Sequence, residues 1–136
     1  MIVGIGVDLV DIGRIKHMLD RHGERFLERC FTDVERHKAQ SREKSNTHVH
    51  VYAKRFAAKE AFVKALGTGF TDTVIMKDVG VIEDGLGKPS FALTAGAQEA
   101  LDALTPAGME PVIHLSLTDE PPYAQAYVII EMREAQ

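Results

Sequence analysis

The sequence predicts an α+β domain in which an antiparallel sheet is combined with one long central helix and several shorter helices. Two observations indicate this class. Segments rich in strand formers stand at both ends of the chain and after the central helix, and the helical segments cluster in the first half. The chain has 136 residues and 45% hydrophobic content, which is enough for one core and too little for two ordinary domains. We therefore expect residues 1–136 to form a single domain.

The first predicted element is a strand over residues 1–10, whose continuous apolar, β-branched composition is typical of a buried strand. With the strand period of two, Gly4 and Gly6 share a face with Asp8. Glycine inside a strand often marks the close approach of a ligand or another backbone, so we expect Asp8 to face a site with room beside it. An aspartate that simply caps a turn at the strand end is the alternative.

A first helix is predicted to begin at the N-cap residue Asp11. Its polar face and the segment after it have more basic than acidic residues. This surface is either an ordinary solvated face or a docking surface for an acidic partner. Further on, Thr32 to Glu35 form a capping-box sequence, which predicts the start of a second helix. The basic residues of the first segment are Arg14, Lys16, Arg21, Arg25 and Arg29.

The long central helix is predicted to start near Thr47 and to end at a left-handed C-cap, Gly67. Apolar residues surround nearly its whole circumference, so we expect it to pack against protein on several sides. Glu60 and Lys64 are four residues apart and share one face, either as an ordinary surface ion pair or as part of a functional site. Lys59 points about 100° away from Glu60, and we expect a structural or interface role for it.

A β-hairpin is predicted to follow the central helix. Residues 74–83 and 90–93 are rich in strand formers, and the turn signal Asp84-Gly85 separates them. Lys88 and Pro89 lie in the connection. A lysine and exposed backbone donors at this place suit an anion, and an ordinary turn is the alternative explanation.

The chain is predicted to close with a short amphipathic helix over residues 95–104 and two strands, 112–118 and 123–132, that pair as an antiparallel hairpin. The strand 112–118 alternates between apolar and polar residues, so its polar face meets either solvent or an interface. The apolar positions are Ile113, Leu115 and Leu117, and the polar ones are His114, Ser116 and Thr118.

Composition argues against several classes of function. The net charge is −4 at pH 7 with acids and bases interleaved, so nothing indicates binding to nucleic acid or to a membrane. Cys30 is the single cysteine, no secretory signal is recognisable, and no apolar run is long enough to span a bilayer. We therefore expect a cytoplasmic protein. His37, His48 and His50 lack cysteine or local carboxylate partners, so they do not predict a metal site.

Four segments, in order and spacing, resemble the holo-acyl-carrier-protein synthases, the small bacterial group of 4′-phosphopantetheinyl transferases. The resemblance extends to the closing strand that begins at Tyr123, and it is weakest in the loop 43–50. The central segment is the most specific of the four. The segments are 4–10 followed by Arg14-Ile15, 55–65 followed by Gly67-Thr68-Gly69, 87–89, and 114–118.

This resemblance implies the 4′-phosphopantetheinyl transferase fold and its reaction. Members transfer 4′-phosphopantetheine from coenzyme A to a serine of apo-acyl carrier protein in fatty acid biosynthesis, and they release adenosine 3′,5′-bisphosphate. The resemblance also implies Mg²⁺ as cofactor and a homotrimer with active sites at the subunit interfaces. Acyl carrier protein and coenzyme A are thus the expected partners.

By position, Asp8 and Glu60 match the metal-binding carboxylates of the family, and Lys64 matches the lysine at the transferring phosphate. The three are therefore the expected catalytic residues, with Glu60 as the candidate base for the serine hydroxyl. The chemistry agrees with this match, because Mg²⁺ prefers one or two protein carboxylates together with waters and phosphate oxygens.

The resemblance also implies substrate-binding residues. A carrier-protein surface is expected at Arg14, Arg21 and Arg25. Many relatives have a histidine where this chain has Asp119; an acid there would repel phosphate, so we assign it no contact with coenzyme A. The residues expected to bind coenzyme A are Arg55, Lys64, Gly67, Lys88, Pro89 and His114, of which His114 is expected to reach a neighbouring subunit's site.

Two other functions use the same features. A Mg²⁺-dependent hydrolase of a nucleotide pyrophosphate would need the same two carboxylates. A non-catalytic trimeric module would use the basic surface only to bind an acidic carrier protein.

Overall fold

The computed structural model describes residues 1–136, which form five strands and five α-helices. The order along the chain is β1 (Ile2–Asp11), α1 (Ile12–His22), α2 (Glu24–Cys30), α3 (Asp33–Gln40), α4 (His48–Leu66), β2 (Val79–Glu83), β3 (Pro89–Leu93), α5 (Ala95–Leu104), β4 (Met109–Glu120) and β5 (Tyr123–Glu134). The predicted α+β class is confirmed.

Two antiparallel sheets are present. The larger has the strand order β1-β5-β4, so the last strand of the chain is its centre, and the smaller is the β2-β3 hairpin. Within the larger sheet, Tyr127 of β5 lies between Val7 of β1 and Ser116 of β4. The hairpins β2-β3 and β4-β5 predicted from the sequence are both confirmed.

Helix α4 is the core of the molecule. Most of its residues are buried, and it packs against β1, β5 and the helices α1 and α3. It ends where the sequence predicts, because Gly67 has the left-handed conformation with φ 81° and ψ 6°. Thr47 stands at the N-cap position without a side-chain capping bond. None of the helices combines the length and apolar composition that crossing a membrane requires.

The glycines of β1 let α4 pack directly on the strand backbone. A Cβ atom on Gly6 would lie 1.8 Å from the carbonyl oxygen of Ala61, and one on Gly4 would lie 2.1 Å from that of Ala65. The expectation of free space for a ligand beside Asp8 at these glycines is therefore wrong. The backbone of α4 occupies that space, so these glycines mark the close approach of another backbone and not of a ligand.

The opposite face of β1 is exposed in the single chain, so the expectation of a buried strand holds for only one of its faces. The face that carries the glycines lies against α4, whereas nothing in the chain covers the other. Its side chains are exposed by 37% to 61%, and they are Val3, Ile5, Val7 and Leu9. A row of apolar side chains at this exposure is unusual for a surface strand.

Between α4 and β2 the chain departs from the predicted strand 74–83. A short 3₁₀ turn covers Met76–Asp78, and β2 begins only at Val79. The turn is fixed by Lys59, whose Nζ donates to the carbonyl oxygens of Met76 at 3.1 Å and Val79 at 2.8 Å. Strands β4 and β5 are longer than predicted, whereas α5 has the predicted bounds.

The capping box at the start of α3 is confirmed, and it is part of a buried ionic cluster that the sequence does not reveal. Glu35 Oε1 accepts from the Thr32 backbone N–H at 2.8 Å and from Lys59 Nζ at 2.8 Å. Its Oε2 accepts from the backbone N–H of Val81 at 2.9 Å. Both charged side chains are 0% exposed. The structural role expected for Lys59 is confirmed, since this cluster joins α3, α4 and β2.

Candidate active site

The end of β1 and the last turns of α4 bring Asp8 and Lys64 together. Lys64 Nζ donates to Asp8 Oδ1 at 3.0 Å and to the carbonyl oxygen of Val7 at 3.0 Å. The Glu60–Lys64 pair suggested by the four-residue spacing is not formed, because Lys64 reaches across to the strand instead. Lys64 is exposed and Asp8 is largely covered.

Glu60 lies near this pair, half-buried, and its carboxylate accepts no hydrogen bond from the chain. Burial raises the pKa of Glu60, and the negative charge of Asp8 raises it further, although Lys64 and Arg14 act in the opposite direction. Asp8 thus places its negative charge near a second carboxylate from a separate element, although Asp8 is itself paired with Lys64. Such a pair of carboxylates favours a bound cation.

The two carboxylates, Asp8 and Glu60, fit Mg²⁺ better than a metal ion whose ligands all come from protein side chains. No group of three or more His, Cys, Asp or Glu side chains in the chain is arranged to hold a metal ion. Two carboxylates leave several coordination positions for water and phosphate oxygens, which is the usual arrangement for Mg²⁺ with a phosphate substrate.

Helices α1 and α2 carry a basic surface, of which Arg14 is near Glu60. The guanidinium carbon of Arg14 lies 5.9 Å from the ring centroid of Phe56, and its charge acts on Glu60. Arg21 is exposed further along α1. A groove of about 250 Å³ opens between the two helices. Two of the basic residues named from the sequence, Arg25 and Arg29, line this groove together with Met18, His22 and Phe26.

Arg55 belongs to a second site on another side of α4. It lies about 140° from Glu60 on the helical wheel, and it is 3% exposed. Its Nη2 donates to Glu83 Oε1 at 2.6 Å. Burial acts to raise the pKa of Glu83, but Arg55 and then Lys38 lower it overall. The chain therefore does not bring Arg55 to its own Asp8 and Glu60.

A basic cavity of about 300 Å³ surrounds this arginine, between α3, α4, the end of β2 and the end of β4. The Nε atom of Arg55 is buried and has no hydrogen-bond partner. The cavity was not predicted from the sequence, because its residues come from four separate segments of the chain. The only local pattern that indicates it is the four-residue spacing of His50 and Lys54, which places both on one face of α4. The charged and titratable lining residues are Lys38, Arg42, His50, Lys54, Arg55, Glu83 and Asp119.

Comparison with known proteins identifies the family. Residues 4–113 match the 4′-phosphopantetheinyl transferase superfamily. The holo-acyl-carrier-protein synthase of Sphingopyxis alaskensis is 58% identical over 131 residues, which cover 96% of this chain and 97% of that protein. This chain belongs to the holo-acyl-carrier-protein synthases. The synthase of Beijerinckia indica is 57% identical, with 96% of this chain and 91% of that protein covered.

Solved synthase structures share the fold. The holo-acyl-carrier-protein synthase from Neisseria meningitidis has a TM-score of 0.82 at 36% identity, covering 96% of this chain and 99% of that one. The synthase from Bacillus anthracis, solved in complex with CoA (3′,5′-ADP), has a TM-score of 0.76 at 36% identity over 96% of each chain. The resemblance seen in the sequence and the fold that it implied are confirmed.

The remaining predicted residues of this synthase lie apart from the two carboxylates. Lys88 and Pro89 are at the tip of the β2-β3 hairpin, and Gly67 follows the last turn of α4. His114 is on the exposed face of β4, where its Nε2 lies 2.8 Å from Glu131 Oε1. Of the residues assigned to catalysis and coenzyme A, the chain thus groups only Asp8, Glu60 and Lys64.

Proposed function

We propose that this synthase transfers 4′-phosphopantetheine from coenzyme A to a serine of apo-acyl carrier protein, with release of adenosine 3′,5′-bisphosphate. One observation carries the proposal at the level of residues: Asp8 of β1 lies beside Lys64 and near Glu60 of α4, and the Glu60 carboxylate has no hydrogen-bond partner in the chain. Family membership supports the same reaction.

In this proposal the serine hydroxyl attacks the phosphorus that carries pantetheine. The bond from that phosphorus to the bridging oxygen breaks, and the bridging oxygen leaves with adenosine 3′,5′-bisphosphate. Glu60 takes the hydroxyl proton, directly or through a water molecule.

Asp8 and Glu60 would hold Mg²⁺, which neutralises charge on the pyrophosphate when it is bound. Lys64 would place a further positive charge at the transferring phosphate. In the metal-free chain Lys64 is paired with Asp8. A cation at Asp8 competes for the same carboxylate, so we expect metal binding to release Lys64 toward the substrate.

We further propose a homotrimer in which coenzyme A is bound between subunits. Arg55, Lys88 and Pro89 are assigned to coenzyme A, yet Arg55 faces away from the carboxylates of its own chain. A neighbouring copy would supply this part of the site, and His114 would likewise serve a neighbour. The exposed apolar face of β1 supports such an assembly, since an apolar strand face of this kind marks protein contact.

The carrier protein is proposed to dock on α1 and α2. Arg14, Arg21 and Arg25 provide the basic surface for an acidic partner. The groove beside Arg25 also has apolar walls in Met18 and Phe26, so it can accept an apolar side chain as well as acidic groups.

We also propose that residues 1–136 are one domain and that the enzyme acts in the cytoplasm. A single hydrophobic cluster includes residues from both halves of the chain, which supports the first statement. The free, buried Cys30 is compatible with a reducing compartment.

The deciding experiment combines the protein with apo-acyl carrier protein, coenzyme A and Mg²⁺, and then measures the mass of the carrier. We expect the carrier to gain one phosphopantetheine, and Glu60→Ala to abolish this gain without changing the oligomeric state. Free phosphopantetheine with an unmodified carrier would instead support the hydrolase. If the wild type and Glu60→Ala both bind the carrier and neither modifies it, the result would support the non-catalytic module.

A further inference from the structure

We propose that Lys59 is a positioning residue for the transfer reaction: paired with Glu35, it holds the loop between α4 and β2 against the side of α4 that carries Glu60. This α4–β2 loop comprises residues 67–78. The inference rests on the proposed function, in which Glu60 takes the proton of the serine hydroxyl.

The ammonium group of Lys59 is fully used inside the protein. It donates to Glu35 Oε1 at 2.8 Å, to the Met76 carbonyl oxygen at 3.1 Å and to the Val79 carbonyl oxygen at 2.8 Å. An ammonium has three hydrogens, so no donor remains for another partner. The last turn of the loop, Met76–Asp78, is thus fixed to α4 at its start and directly after its end.

Stability alone does not account for this pair. Both side chains are 0% exposed, and a buried ion pair is often no more stabilising than apolar side chains of similar volume. Apolar side chains, however, cannot bind backbone carbonyl groups at defined places. The pair therefore defines the position of the loop, which is the property that an adjoining site requires.

The α4–β2 loop runs back along α4 beside Glu60. Near the start of the loop, the backbone N–H of Gly69 donates to the Val63 carbonyl oxygen at 3.3 Å. On the helical wheel, Val63 lies about 60° from Glu60 and Lys59 lies about 100° from it in the same direction. Lys64 lies about 40° away in the other direction. Both attachments of the loop to α4 are therefore on one side of Glu60.

A pocket of about 450 Å³ lies between this loop and the end of α2. Its α2 side includes the Cys30 thiol, which is near enough to Glu60 for the two groups to interact. Burial raises the pKa of Cys30, and the charge of Glu60 adds to that rise, although Lys59 acts in the opposite direction. The loop is therefore one wall of a space that adjoins Glu60, and this wall limits where the serine and the phosphorus can lie. The lining residues are Arg29, Cys30, Phe70, Thr71, Ile75 and Met76.

The tip of the loop is fixed independently of the ion pair. Helix α5 packs its backbone at Gly96 onto the loop, since a Cβ atom there would lie 1.6 Å from the Thr73 carbonyl oxygen. Within the loop, the Thr71 hydroxyl oxygen accepts from the Val74 N–H at 3.0 Å. The loop is thus held at its start, its tip and its end, and Lys59 provides the contact at the end.

Turnover of the double variant Glu35→Gln, Lys59→Met tests the proposal. This variant removes the bonds to the carbonyl oxygens of Met76 and Val79, leaves no buried charge, and keeps an oxygen for the Val81 N–H. We expect kcat per folded molecule to fall by roughly tenfold or more, since small displacements at a reacting centre have effects of this size.

Two further measurements separate positioning from a general loss of structure. Kd for coenzyme A, measured by calorimetry, should change by less than about threefold, because Arg55 lies on another side of α4. Backbone amides of residues 70–76 should exchange hydrogen at least about tenfold faster than in the wild type, while those of α4 keep their rates. Glu35→Gln alone keeps the bonds of Lys59 to the loop, so it should keep kcat within about threefold of the wild type.

Transfer at the wild-type kcat by the folded double variant would overturn the proposal, as would a loss of kcat that Glu35→Gln alone reproduces. If the double variant does not fold, Gly96→Ala takes its place, because the new Cβ displaces the tip of the same loop from the side of α5. It should lower kcat in the same way, and an unchanged kcat in folded Gly96→Ala would equally overturn the proposal.

Arg36→Gln is the matched control on α3. It breaks the surface ion pair of Arg36 with Glu24, which does not contact the α4–β2 loop, so it should keep the wild-type kcat. If the wild type fails to modify the carrier, the proposed function fails. If the wild type modifies the carrier and the double variant does so equally fast, only this inference fails.

Discussion

At the scale of single residues, Glu60 is the most informative side chain of the candidate site. It is half-buried, it has no hydrogen-bond partner, and the charge of Asp8 lies nearby. The sequence identified it by a motif, and the structure adds its surroundings. A carboxylate in this environment holds its proton more tightly than one in water.

The raised pKa of Glu60 predicts a pH dependence of stability. In metal-free protein, the folded chain keeps a proton that the unfolded chain releases as the pH rises above the ordinary value of 4.5. The contribution of Glu60 to the free energy of unfolding is therefore complete below that value and is lost as the pH rises through the raised pKa. Urea unfolding of the wild type and Glu60→Gln from about pH 4 to pH 8 measures this contribution.

We expect the wild type to lose stability relative to Glu60→Gln as the pH rises across this range. Mg²⁺ should restore the stability of the wild type at the upper end, because the folded state brings both carboxylates to the cation and the unfolded state does not. Glu99→Gln on the exposed face of α5 should show no such trend. Parallel pH curves for wild type and Glu60→Gln would contradict the prediction.

At the scale of elements, the buried pair of Glu35 and Lys59 joins α3, α4 and β2. Lys59→Met removes the ammonium and leaves a carboxylate that is 0% exposed without its counter-charge. We expect the free energy of unfolding to fall by roughly 3–5 kcal/mol. Urea denaturation measures the loss.

The double variant Lys59→Met, Glu35→Gln is the control for this pair. It removes both charges and keeps an oxygen for the Val81 N–H, so it should be more stable than Lys59→Met alone. A loss below about 1 kcal/mol in Lys59→Met would mean that the pair does not stabilise the junction.

The contact between β1 and α4 predicts a severe effect for Gly6→Ala. The new Cβ would lie 1.8 Å from the Ala61 carbonyl oxygen, which is a backbone atom and cannot rotate away. We expect a loss of about 2 kcal/mol or more in the free energy of unfolding. Gly85→Ala is the matched control, because no atom lies within 4 Å of its Cβ position. Equal stability of the two variants would contradict direct backbone packing.

At the scale of the whole molecule, the exposed face of β1 predicts the oligomeric state. Ile5→Glu places a charge on a side chain that is 61% exposed in the single chain. The fold of one chain should therefore survive, while a trimer built on this face should dissociate and lose transfer activity. Analytical ultracentrifugation with circular dichroism tests this. Leu86→Glu, at a position 98% exposed on the β2-β3 turn, is the control. An unchanged sedimentation coefficient in Ile5→Glu would exclude this face as the interface.

Local signals explain which parts of this architecture are predictable from sequence. The stop at Gly67, the capping box of Thr32 and the β-hairpins depend on neighbouring residues, and all were predicted correctly. The Glu35–Lys59 pair and the His50–Asp119 contact join residues that are 24 and 69 positions apart, so no local pattern indicates them. The exposure of β1 was missed for another reason, because an apolar face has the same sequence pattern whether its own chain or a neighbour covers it.

The glycine contact of β1 with α4 also has a consequence for the proposed Mg²⁺ site. Asp8 and Glu60 are attached to two main chains that touch without intervening side chains. The spacing of the two backbones is thus a property of the scaffold. We therefore expect exchange of a carboxylate itself, for example Asp8→Glu, to change the metal preference of the proposed site more than substitution of its neighbours does.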